Sequence, residues 1–102
     1  MLTRLRKLFT RADDATPAPP SPRPLLDAAA RHLRENRLDQ ARASYEAART
    51  AAQQARDSAA EADALFGLSQ LAGRAGDPMQ AVTYLRAATL LHNEAAERDK
   101  RP

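Results

Sequence analysis

Few side chains of this 102-residue chain could carry chemistry. It has no cysteine, which leaves no thiol nucleophile, no thiolate ligand and no disulfide framework. The two histidines, His32 and His92, stand far apart in sequence, and neither belongs to a spacing that ligates a metal. Each reads as a helix residue, partly buried or on the surface. Asp13-Asp14 adjoins a proline tract, where a solvated pair of carboxylates is the simpler reading. Gly73-Arg-Ala-Gly76-Asp holds two glycines, but no strand leads into it and no Gly-Lys-Ser/Thr follows, as a phosphate loop requires. Catalysis needs several groups converging on one pocket. These residues point to no enzyme, no metal and no cofactor.

What remains is binding chemistry, and it is carried by arginine. The chain holds 14 Arg against 2 Lys, with a net charge of +3. The charge is uneven: residues 1–11 hold Arg4, Arg6, Lys7 and Arg11 with no acid, whereas residues 25–98 carry nine basic and ten acidic side chains, a balance of −1. No basic stripe covers that longer part, so nucleic acid is not an expected partner. A guanidinium instead suits bidentate pairing with a carboxylate.

Those side chains must be positioned by helices. There is no Trp, no Ile and a single Val (Val82), too few β-branched residues to build a sheet. Alanine supplies 24 of the apolar residues and leaves 20 of other kinds, so an all-α domain with a modest core is expected. Residues 1–11 place Leu2, Leu5, Leu8 and Phe9 on one arc of a helix and Arg4, Arg6, Lys7 and Arg11 on the other. This basic amphipathic stretch is too short to span a bilayer or serve as a secretory signal. It suits an anionic membrane surface, a partner, or the open end of the domain itself. Residues 12–24 contain five of the seven prolines and read as a semi-rigid tether.

Over residues 25–98 the spacing predicts four helices. The first opens at Pro24 and runs to about Glu35, where Asn36 takes the left-handed conformation. Asp39 caps the second, which runs to about Arg56. Ser58-Ala-Ala-Glu61 matches a capping box for the third, which stops at Gly76. Asp77-Pro78 starts the fourth, which runs to about Glu97. Residues 99–102 read as a disordered tail.

The two halves align at a period of 40 residues, with Asn36 on Gly76, Arg34 on Arg74, Gln40 on Gln80, Ala41 on Ala81, Tyr45 on Leu85 and Ala48 on Ala88. Gly76-Asp77-Pro78-Met79-Gln80-Ala81, with Leu85 and Ala88, resembles the turn of the tetratricopeptide repeat (TPR), and Asn36-Arg37-Leu38-Asp39-Gln40-Ala41, with Tyr45 and Ala48, resembles it less closely. The period exceeds the usual ~34 residues of that family, which implies a longer second helix or loop around Ala51 to Ser58. The resemblance implies antiparallel hairpins stacked as a short α-solenoid. Its concave face would be lined by Leu26, Ala30, Leu33 and Arg34, then by Phe66, Gln70, Gly73 and Arg74. Of these, Leu33, Arg34, Phe66, Gln70 and Arg74 are the candidate partner-binding residues. Phe66 is either a groove anchor or core between the second and third helices, and the scarcity of Phe favours core. Gly67 weakens its helix by about 1 kcal/mol relative to Ala, so a close approach is expected there.

Two units are fewer than such arrays usually need, and the fourth helix carries Val82, Leu85, Leu90 and Leu91, more apolar surface than one neighbour covers. The expected function is a non-catalytic, cytoplasmic adaptor or assembly factor that binds a protein or peptide and forms a homo-oligomer or docks a larger partner. The alternative is a peripheral membrane protein anchored by residues 1–11, whose four cations contribute roughly 4 kcal/mol toward an anionic surface, with the repeats used for self-association.

Overall fold

Prolines open the first helix. Pro22 takes the first helical position and Pro24 the third, where neither missing N–H would have found an intrahelical partner, and both rings fix φ near the helical value. The computed structural model describes residues 20–100, and over these the chain is all-helical, without a strand. α1 spans Pro22–Arg34, α2 Leu38–Ala55, α3 Ser58–Arg74 and α4 Pro78–Lys100. The expected amphipathic helix at residues 1–11 and most of the expected tether lie outside the described residues.

Three turns of the same construction join the helices. Asn36, Arg56 and Gly76 each adopt positive φ, at 58°, 54° and 79°. Each turn closes with paired bonds onto the last helical carbonyls: Asn36 and Arg37 donate to Leu33 and His32, Arg56 and Asp57 to Gln53 and Ala52, Gly76 and Asp77 to Gly73 and Ala72. Two turns fall where Asn and Gly predict them. The third differs, because arginine gives no signal for the left-handed region.

The helix starts correct two expectations. Arg37, not Asp39, occupies the N-cap of α2 and makes no side-chain cap; Asp39 sits inside the first turn, where a carboxylate complements the helix dipole. The cap of α3 is Asp57, whose Oδ1 accepts from the Ala60 amide at 3.0 Å, and Ser58 becomes the first helical residue. Glu61 therefore does not fold back onto the cap, and its carboxylate accepts from Gln53 Nε2 at 3.0 Å. At α4 the expectation holds, since Asp77 Oδ1 accepts from the Gln80 amide at 3.1 Å ahead of Pro78. α4 continues through Lys100, past the expected end at Glu97. The long period is absorbed by α2, 18 unbroken residues, rather than by a loop.

Each helix contacts the next in sequence, and α1 also contacts α3. The core they share is rich in alanine: Ala29, Ala41, Ala48, Ala52, Ala60, Ala64 and Ala88 sit among Leu26, Leu33, Tyr45, Leu65, Leu68 and Leu71. Small side chains bring helix axes close, and the few large ones fill what remains. Gly67 shows the closest approach, because a methyl group there would overlap the ring of Tyr45. The α1–α3 contact is tied at both ends. Arg23 pairs with Asp63 at 2.9 Å, and Arg74 Nη1 donates to the Leu33 carbonyl at 3.1 Å.

Candidate functional site

Among the described residues α4 contacts only α3, so the outer side of the second hairpin has no helix against it. In the first hairpin, Pro22, Leu26 and Ala29 on α1, with Ala41, Tyr45, Ala48 and Ala52 on α2, are all buried. Their partners 40 residues on are Ala62, Phe66 and Ser69 on α3, with Ala81, Leu85, Ala88 and His92 on α4. Of its small residues, Ala62, Ser69 and Ala88 are buried and Ala81 is half-buried. The large ones differ between the hairpins: Leu26 is 8% exposed and Phe66 51%, while Tyr45 is 6% exposed and Leu85 41%. Phe66 is thus not core, contrary to expectation, because no described helix covers it.

Phe66 borders an open cleft of about 220 Å³ between α3 and α4, lined by Ala62, Asp63, Phe66, Ala88, Thr89 and His92. The walls are mainly apolar, and the lining includes one carboxylate, Asp63, and one imidazole, His92. Beyond it, Met79, Val82 and Leu90 add exposed apolar surface on α4, while Tyr84 and Leu91 are half-buried against the core. An interior that is largely alanine therefore leaves many larger apolar side chains outside, and among the described residues the exposed ones all lie on the second hairpin.

The candidate partner-binding residues fare differently from one another. Leu33 is buried, as is Leu26, and neither offers its side chain to a ligand. Phe66, Gln70 and Gly73 are exposed along α3. Arg74 is exposed but already committed in part, since it caps a carbonyl of the last turn of α1, where a cation also complements the dipole. Arg34 is exposed at the same end of α1. Its charge lowers the pKa of the Tyr45 phenol, against the larger effect of burial, which raises it. The two arginines are thus gathered at one end of the α1–α3 pair. Leu2, Arg4, Leu5, Arg6, Lys7, Leu8, Phe9 and Arg11 lie outside the described residues.

Sequence reasoning missed the Arg23–Asp63 pair and the Thr89–His92 wall. The signal for the first was present, because the 40-residue register sets Arg23 on Asp63 with opposite charge. Among the described residues no three His, Cys, Asp or Glu side chains gather to hold a metal, and no helix is long and apolar enough to cross a membrane. No family model, curated protein or solved structure matches the chain.

Proposed function

We propose that this chain is a non-catalytic docking module: two TPR-like hairpins stacked side by side, whose open end binds an amphipathic helical segment of a protein partner. The observation that carries the reading is the contrast between Leu26 and Phe66, equivalent residues of which one is covered by the next helix and the other is not. Three features support a translational stack. Residues that pair across α1 and α3 are repeat equivalents, as in Arg23 with Asp63. The turns at Asn36 and Gly76 share one hydrogen-bond pattern. Helix contacts run from each helix to the next, plus first helix to first helix.

In this reading Phe66 and Leu85 are the anchors, because a ring and a branched chain with roughly half their surface open have the most area to lose on docking. Arg34 ends α1 and Arg74 ends α3, and in this reading the pair selects an acidic end on the incoming segment. Selection of a random peptide library against the full chain tests this. Enriched peptides should carry apolar residues at helical spacing, and Phe66→Ser should weaken them at least ~10-fold, about 1.4 kcal/mol. Peptides that bind Phe66→Ser as tightly as the unaltered chain would refute the assignment.

A further inference from the structure

We infer that the α3–α4 end face pairs with the same face of a second copy of this chain, α4 against α4 in antiparallel sense about a two-fold axis between Thr89 and His92. This deepens the docking reading and rests on it for the choice of surface, since a partner segment would enter by displacing the second copy.

The two ends of the stack differ in polarity, and that decides how copies can meet. On α3, Ala60, Ala64, Gly67 and Leu71, at i, i+4, i+7 and i+11, are all buried, with Gly67 against Tyr45 of the first hairpin. Their equivalents 40 residues earlier are Pro20, Pro24, Asp27 and Arg31, all exposed and two of them charged. A copy that offered this side of α1 to the open face of another would set a carboxylate and a guanidinium against Phe66 and Leu85, and desolvation opposes that. The apolar end is left to pair with itself, and a like-with-like contact closes at two copies.

The outer stripe of α4 suits such a contact. Leu85, Thr89, His92 and Ala96 repeat the i, i+4, i+7, i+11 spacing, all four are exposed, and none carries a carboxylate or a guanidinium. Laid antiparallel on itself, the stripe sets Leu85 on Ala96 of the second copy, a large side chain on a small one, and Thr89 on its His92. The Thr89 hydroxyl donates to the Leu85 carbonyl at 2.9 Å, which leaves its oxygen to accept an imidazole N–H. Phe66 lines the cleft together with Thr89 and His92, so it stands beside the axis and packs on the α4 of the second copy.

Area and charge agree with a dimer. The 17 residues of α3 laid beside α4 make a face of about 25 Å by 20 Å, roughly 500 Å² before side-chain relief is counted, against the ~800 Å² of accessible surface that each partner of a standard interface contributes. Asp63, the charged residue of the cleft lining, is already paired with Arg23, so the centre is depleted of free charge, as interface cores are.

Sedimentation equilibrium of the full chain should show a monomer–dimer equilibrium at micromolar concentration. Leu85→Glu, a change at an exposed site that should keep the helical circular dichroism, should raise the dissociation constant at least ~10-fold. The chain has no cysteine, so Thr83→Cys takes a single nitroxide label. Mixed with ¹⁵N-enriched, unlabelled chain, the labelled chain should broaden the Glu97, Arg98 and Asp99 amides of the enriched copy and spare those of the Asn36 turn. A chain that stays monomeric overturns the inference, and so does a dimer that Leu85→Glu leaves as tight. Broadening centred on Asp27 and Arg31, which means head-to-tail contact, or on Thr83 itself, which means parallel helices, overturns it too. A monomer that still binds selected peptides removes this inference and leaves the partner reading standing. A dimer with the expected broadening that no selected peptide dissociates removes the partner reading alone.

Discussion

At the scale of single residues, Tyr45 packs directly against Gly67. Alanine at Gly67 gains up to about 1 kcal/mol of helix propensity but meets the tyrosine ring, and overpacking of this kind costs about 1–3 kcal/mol. Gly67→Ala should therefore lower stability in urea titration, and Tyr45→Leu, which copies Leu85, should recover most of the loss in the double variant. Additive effects of the two changes would mean the ring and the glycine are not coupled. The same burial sets a pH dependence. Tyr45 holds its phenolic proton above the ordinary pKa of 10.0, mainly because burial disfavours the phenolate. A pKa raised on folding gives stability that is complete below the unfolded value and falls as pH climbs beyond it, so unfolding should become easier above about pH 10. Tyr45→Phe should flatten that decline, measured by urea titration across the alkaline range. An unchanged slope would assign it to other groups.

At the scale of elements, the ends of the helices decide how much could be read in advance. Asn36, Gly76 and Asp77-Pro78 carry their turns in their own chemistry, so those boundaries were legible. Arg56 is different: any L residue at φ 54° is strained, and nothing in arginine's type announces it. Arg56→Gly should raise stability by roughly 0.5–1 kcal/mol, while Gly76→Ala should lower it by about the same amount. Equal behaviour of the two sites in thermal unfolding would show that the turns do not share a construction. The cap of α3 was misplaced by one residue because Ser58 and Asp57 both fit the cap chemistry, and only the turn geometry selects Asp57. Burial was harder still. Periodicity places Leu26 and Phe66 on equivalent faces of equivalent helices, and whether a side chain is covered depends on a neighbour that periodicity does not describe. The exposure of Phe66 is thus legible only as an alternative, and Leu33, which the resemblance sets on a binding face, fills the core.

At the scale of the whole molecule, an alanine-rich interior is joined to exposed large side chains on one hairpin, and the uncovered cleft should govern association. The full chain should show dimers in micromolar sedimentation, and Phe66→Ser should return it to monomer. Dimers that persist with Phe66→Ser would place the contact elsewhere, on the Met79, Val82 and Leu90 face. The most direct test of the docking surface is the amide chemical-shift footprint of a selected amphipathic peptide on the full chain. Shifts centred on Ala62, Phe66, Leu85, Thr89 and His92 are expected. A footprint on the α1–α2 side that leaves those five amides unmoved would contradict it.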